Sequence, residues 1–112
     1  MPIDDHDSSN LTRVVQQAEI VQYQPGSIVS RTLVKNPGGT VTAFAFDQGE
    51  SLSEHTAPFD ALVFIVDGEA EISISIISHR VRTGQMLLLP AGQPHAIKAV
   101  TKFKMILVMI KS

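Results

Sequence analysis

The chain has no cysteine, and this absence excludes three kinds of site at once. A disulfide framework, a thiolate zinc site and a cysteine nucleophile all need that residue. The sequence also has no block of Lys and Arg, and its formal net charge is only -2. A basic face that would bind nucleic acid or an anionic membrane surface is therefore not predicted.

Long apolar runs are missing as well. No stretch reaches the roughly eighteen consecutive apolar residues that a membrane-spanning helix needs. The first ten residues, MPIDDHDSSN, are acidic and polar, whereas a secretory signal begins with basic residues followed by apolar ones. We therefore expect a soluble, cytoplasmic protein.

The composition is that of one folded domain. A chain of 112 residues with 44% hydrophobic and 18% charged residues can bury one core and is too short for a second. After a polar start, short clusters of β-branched and aliphatic residues alternate with turn signals such as Asp67-Gly68 and Thr83-Gly84. The predicted strands cover residues 27–35, 40–46, 61–66, 70–75, 79–82, 85–89, 95–100 and 103–110. This pattern predicts an all-β fold, either a closed antiparallel barrel or a two-sheet jelly roll.

We divide the chain into an N-terminal leader, residues 1–26, and a single barrel domain, residues 27–112. A short helix is predicted over residues 12–19, with Asn10 or Thr12 as its cap. Residues 61–66, 86–90 and 105–110 are apolar at successive positions, so both faces of these strands need cover. The N-terminal segment folding back and a homodimer are both compatible with this pattern, and we predict a homodimer.

Two spaced motifs carry the strongest signal. The first contains Gly49, His55 and Gly68, and the second runs from Gly84 through Pro90 and Gly92 to His95. In these spacings the chain resembles the cupin superfamily, whose motifs read G-x5-H-x-H-x3-4-E-x6-G and G-x5-P-x-G-x2-H-x3-N. The resemblance covers residues 49–99 and is strongest to small single-domain cupins. It implies the same antiparallel barrel. It says little about activity, because this barrel hosts enzymes, storage proteins and ligand-sensing modules.

The departures from the motif concern the metal ligands. In metal-binding cupins the two histidines and the glutamate of the first motif act together with the histidine of the second. Here Ala57 and Ala61 occupy two of those positions, so only His55 and His95 remain. Two imidazoles are few for a divalent ion, which usually takes three or four protein ligands. We therefore expect no tightly held metal, and at most a weakly held divalent ion with Asp60 as the first additional ligand to consider.

The candidate ligand-binding residues follow from the same placement. His55 and His95 are expected to lie close together inside one end of the barrel. The other candidates are Asp60, Phe44, Phe46 and Met86, although aromatic and methionine side chains in strands are more often ordinary core. His6 lies in the polar leader and His79 in a hairpin strand, and neither is a candidate.

Two functions of different classes remain open from the sequence. The first is a metal-free binding module that holds a small organic molecule in an apolar lumen, with the two histidines on its polar end. The second is an enzyme of the oxygenase or isomerase class. It would use either a metal on the two histidines or His95 as an acid or base oriented by Asp60 or Glu54.

Overall fold

The computed structural model describes residues 11–111, and nine antiparallel strands make up most of this part of the chain. The strands are β1 (Ile28–Asn36), β2 (Gly39–Phe46), β3 (Ser51–His55), β4 (Asp60–Asp67), β5 (Glu69–Ile74), β6 (Ile77–Arg82), β7 (Met86–Leu89), β8 (His95–Ala99) and β9 (Phe103–Ile110). They form a five-stranded sheet in the order β1-β2-β9-β4-β7 and a four-stranded sheet in the order β3-β8-β5-β6. The fold is a jelly roll, which confirms the predicted all-β class.

The inner faces of the two sheets pack against each other in one apolar cluster. Inward positions alternate along β4, where Ala61, Val63 and Ile65 are all buried. The same alternation buries residues of β2, β5, β8 and β9, as the two-residue period of a strand requires. At one end of the cluster the rings of Phe46 and Phe103 stack with centroids 4.5 Å apart. Burial of these side chains is the main source of stability for the domain.

The predicted strands match the observed ones with one omission. Eight strands were expected and nine are present within residues 11–111, the additional one being β3. Its sequence, SLSEH, is polar, and four of its five side chains are exposed. A strand at the edge of a sheet does not need alternating apolar residues, so the hydrophobic pattern did not reveal it.

The helix predicted over residues 12–19 is wrong. This segment contains only a short 3-10 turn at Gln17–Glu19, while the cap candidate Asn10 lies outside the described residues. Val21, with Leu11, Ile20 and Tyr23 around it, packs on the outer face of β1 and β2. Contact with the sheet replaces helical hydrogen bonding here, because a segment of this length is a marginal helix by itself.

Polar contacts fix this N-terminal segment to the five-stranded sheet. Arg31 donates a hydrogen bond to the carbonyl of Ile20 at 3.0 Å, and the buried Lys104 ammonium donates to the carbonyl of Ala18. The Tyr23 hydroxyl donates to the Asp67 carboxylate at 2.6 Å. Burial, together with that hydrogen bond and the negative charge of Asp67, raises the pKa of Tyr23 above its ordinary value. Residues 11–23 therefore cover part of the outer face.

The rest of that outer face is apolar and accessible. Strand pairing places Val108 of β9, Leu62 of β4 and Leu88 of β7 in one row, and Ile106, Phe64 and Met86 in the next. Met86 and Leu88 are 54% and 48% exposed. We call these six residues the outer apolar face. No helix within residues 11–111 has the length and apolar character needed to cross a bilayer.

Candidate functional site

A β-bulge in β3 directs His55 into the barrel. Leu52 pairs with Ile97 and His55 pairs with His95, so three steps along β3 correspond to two along β8. Without an extra residue, His55 would point to the face opposite Leu52, because side chains alternate along a strand. The bulge reverses that alternation. As a result, Leu52 packs on the core while His55 lies beside the buried His95.

The two imidazole rings touch at their outer nitrogens. The Nε2 atoms of His55 and His95 are 3.1 Å apart, and the ring centroids are 4.3 Å apart with the ring planes at 69°. The Nδ1 atom of His55 is 3.1 Å from the carbonyl oxygen of Ser53, and that of His95 is 3.4 Å from the carbonyl oxygen of Gln93. A carbonyl oxygen only accepts, so each of these contacts is a hydrogen bond in the tautomer that carries its hydrogen on Nδ1. With both rings in that tautomer the two Nε2 atoms are acceptors, and with the hydrogen of one ring on Nε2 the two rings are hydrogen-bonded to each other.

Burial differs between the two rings. His95 is 8% exposed, whereas His55 is open to solvent. Burial, followed by the charge of His55, lowers the pKa of His95 below its ordinary value, although a hydrogen bond with the Gln93 carbonyl acts in the opposite direction. The pair therefore combines a buried neutral imidazole with one that solvent and ligands can reach.

Hydrogen bonds between two loops build the corner beside this pair. The amide of Gly92 donates to the carbonyl of Ala57 at 2.8 Å, and the amide of Ala91 donates to the Asp60 carboxylate at 2.8 Å. Asp60 is thus engaged with the loop that connects β7 to β8. Asp60 was the first additional ligand to consider beside the histidines, and in this geometry its carboxylate fixes the corner instead.

The donor set does not fit a strongly held metal ion. A divalent ion about 2.0–2.1 Å from both Nε2 atoms would have an angle of about 95–102° between them, so the two rings match neighbouring positions of a coordination shell. No side chain within the described residues supplies the remaining positions. Ala61 lies on the inner face, 5% exposed, and has no donor atom. Within residues 11–111, no group of three or more His, Cys, Asp or Glu side chains is placed to hold a metal ion.

The aromatic candidates lie away from the histidines. Phe44 and Phe46 share the inner face with ring centroids 6.1 Å apart, but Phe46 is 0% exposed and belongs to the core. Thr40 of β2 lies at the histidine end of the barrel. Phe44 is four residues further along β2, about 13 Å from Thr40. The two-residue spacing of Phe44 and Phe46 explains why they share a face, whereas their distance from the histidines follows from the strand register.

Met86 lies on the other side of the sheet. Leu87 packs against the core and Leu89 is buried in it, so Met86 and Leu88 point outward. The prediction that Met86 lines the lumen is wrong for this reason. The run MLLL is apolar at every position, and apolarity alone could not show which alternate residues point inward.

Two residues that the sequence did not single out belong to the histidine row. His95 pairs with Ile74 of β5, and Ile74 pairs with Ile77 of β6. Residues paired across antiparallel strands project from the same face. His55, His95, Ile74 and Ile77 therefore form one line across the four-stranded sheet.

The combination of nine antiparallel strands, two glycine-containing motif corners and an inward histidine on each motif strand matches a known family. A family model described as Cupin domain matches residues 43–111, more than half of the chain. The chain is a member of the cupin family.

Comparisons with individual cupins agree with this assignment. A curated relative, protein SchB of Streptomyces halstedii, is 30% identical over 95 residues, which cover 74% of this chain and 69% of that protein. A crystal structure of a conserved Streptococcus pyogenes protein of unknown function has a TM-score of 0.86 at 39% identity, covering 89% of this chain and 88% of that one. A cupin superfamily protein from Desulfitobacterium hafniense has the same TM-score at 27% identity, covering 89% and 92%.

Proposed function

We propose that this cupin binds a small organic molecule at the histidine end of the barrel, with His55 and His95 contacting its polar group and without a tightly held metal. The observation that carries the proposal is the pair of Nε2 atoms 3.1 Å apart at the mouth of the barrel. When both rings carry their hydrogen on Nδ1, toward the Ser53 and Gln93 carbonyls, the two Nε2 atoms are acceptors whose hydrogen-bonding requirement a ligand or a water molecule can meet.

The position of the pair favours a ligand at the mouth. The interior beyond it is filled by the apolar cluster, and the surroundings of Phe46 are those of a packed core. His55 is exposed and adjoins the buried His95, so a ligand would contact one solvent-accessible imidazole and one buried imidazole. This arrangement is typical of small-molecule sites, in which a few polar groups fix orientation beside apolar side chains.

Titration of a compound library by thermal shift and NMR tests this proposal. Protein purified without an affinity tag is first analysed for metals. Ligands that raise the melting temperature of the parent should lose that effect with His55→Gln, which is exposed and should fold. Ile76→Ser, a change at an exposed turn, is the matched control. Ligands that stabilise the His55→Gln variant as well as the parent would refute the proposed site.

An enzymatic role is the second candidate, of the oxygenase or isomerase class. The observation that favours it is the buried His95, whose lowered pKa keeps the imidazole neutral and available as a base near neutrality. Asp60 contacts the Ala91 amide, so it does not orient His95 in the described structure. Prolonged incubation of a bound ligand with parent and His95→Gln protein, followed by NMR of the ligand, separates turnover from binding.

We further propose that two copies associate through the outer apolar face, Leu62, Phe64, Met86, Leu88, Ile106 and Val108. Strand pairing makes these residues contiguous, and exposed contiguous apolar surface of this kind marks interaction sites. Residues 11–23 cover the β1 and β2 side of the same sheet. The first ten residues are mostly polar and offer little apolar surface of their own. A second copy supplies an identical, self-complementary face.

Sedimentation velocity at micromolar concentration tests this assembly. The parent should sediment as a dimer, and Leu88→Glu should shift it to monomer because a carboxylate would be buried between the copies. Ile76→Glu places the same charge at an exposed turn of the other sheet and should remain dimeric. A monomeric parent would contradict the assembly.

A further inference from the structure

We propose that the ligand is an elongated apolar alcohol, with a hydrogen-donating hydroxyl at one end and a body about 10 Å long. This inference rests on the proposed function and specifies the class of ligand. It follows from two properties of one row of side chains: the chemistry of its histidine half and the apolar character of its isoleucine half.

The row crosses the four-stranded sheet at the mouth. His55 of β3, His95 of β8, Ile74 of β5 and Ile77 of β6 are successive partners in the strand register. Adjacent strands are about 4.8 Å apart, so the distance from His95 to Ile77 is about 10 Å. The row thus has a polar half and an apolar half of defined length, and it offers a ligand only one orientation.

The solvent exposure of the side chains varies along this row in a way that suits a bound elongated ligand. His95 is buried and Ile74 is half-buried and packs on the core. The two ends are open, since His55 is exposed and Ile77 is 61% exposed. Ile77 lies on the edge strand β6, where an apolar side chain this exposed gains free energy if a ligand covers it. A ligand lying along the row would cover Ile77 and contact the histidines at its other end.

The head group follows from the tautomers in which both histidines donate to their backbone carbonyls. Each Nδ1 is within hydrogen-bond distance of a carbonyl oxygen, and with the hydrogen on each Nδ1 the two Nε2 atoms, 3.1 Å apart, are both acceptors. A ligand hydroxyl donates its hydrogen to one of them, whereas an ether or ester oxygen only adds a third acceptor. In these tautomers the site selects an alcohol over an ester of the same shape.

Backbone contacts keep the row in place. The amide of Ser75 donates to the carbonyl of Pro94 at 2.8 Å, and the Ser75 hydroxyl donates to the side-chain oxygen of Gln93 at 3.2 Å. These bonds join the β5–β6 turn to the loop that precedes His95. The isoleucine half and the histidine half of the row are thus held by one connected corner, which favours a preorganised site.

The test measures dissociation constants for a series of probes by NMR titration of the parent. Butan-1-ol and octan-1-ol vary the length, and methyl octanoate removes the donated hydrogen. Each buried methylene strengthens binding up to about fourfold, so octan-1-ol should bind at least about tenfold more tightly than butan-1-ol. Methyl octanoate should bind more weakly than octan-1-ol.

Variants locate the effect on the row. Ile77→Ser should weaken octan-1-ol binding several-fold and leave butan-1-ol unchanged. Ile76→Ser, at the 98% exposed neighbouring turn position, is the matched control and should change neither. His55→Gln should weaken every probe that carries a donor.

The outcomes separate this inference from the proposed function. If the probes bind and depend on His55, but chain length and Ile77→Ser have no effect, the inference is overturned while the proposed function stands. If methyl octanoate binds as tightly as octan-1-ol, the head-group assignment is overturned. If none of the probes binds while other small molecules bind in a His55-dependent way, the ligand class proposed here is wrong and the site is retained.

Discussion

Replacing the two alanines of the first motif should convert this site into a strong metal centre. The double variant Ala57→His with Ala61→Glu adds a third imidazole and a carboxylate to His55 and His95. The existing Nε2 atoms, 3.1 Å apart, already suit neighbouring ligand positions. Ala61 lies on the inner face at the histidine end, so a longer side chain from that position enters the same space.

The expected gain follows from the number of ligands. Removing a residue that only supports a metal ligand commonly costs 10–100-fold in affinity, and a direct ligand contributes no less. Two restored ligands should therefore tighten nickel or zinc binding by at least about 100-fold. The substitution also has a cost, because Ala61 is 5% exposed and a larger side chain in a packed core destabilises by about 1–3 kcal/mol. Metal should restore that stability, since it binds the folded state.

Calorimetry of metal-stripped protein measures the affinity directly, and thermal melts with and without metal report the linked stability. Ala57→His with Ala61→Gln is the matched control, because glutamine has nearly the same volume and no charge. It should lose the same stability and gain much less affinity. If the parent already binds as tightly as the double variant, another group completes the site and the expectation of no tightly held metal is wrong.

Three further outcomes test the fold and the electrostatics of the site. Gly68→Ala should destabilise more than Gly84→Ala in urea unfolding; both glycines have positive φ, but only at Gly68 would the added Cβ collide with the neighbouring backbone. Tyr23→Phe should lower the free energy of unfolding by about 1 kcal/mol, because the hydroxyl loses its carboxylate acceptor, and unchanged urea midpoints would contradict this. The folded-state pKa of His95 lies below the ordinary value of 6.5, so its contribution to stability is complete above pH 6.5 and is lost as the pH falls through the folded pKa. His95→Gln should reduce that acid dependence, and an identical pH profile would refute it.

The sequence by itself determined the class of fold and the positions that matter. Turn residues and short apolar clusters predicted an all-β domain. These features depend on neighbours along the chain, which the sequence displays directly. The motif spacings also identified His55 and His95 as the residues to examine.

Only the tertiary structure decided which faces and which rows those residues occupy. Regular alternation of side chains along β3 would point His55 outward, because Leu52, three residues earlier, points inward. The bulge opposite β8 reverses this and points His55 inward. In the apolar run of β7, burial of Leu87 and Leu89 placed Met86 outside. Ile74 and Ile77 joined the histidines through pairing between strands that are distant in sequence. Register and face depend on long-range pairing, and a shift of one residue reverses every side chain of a strand, so local sequence cannot fix them.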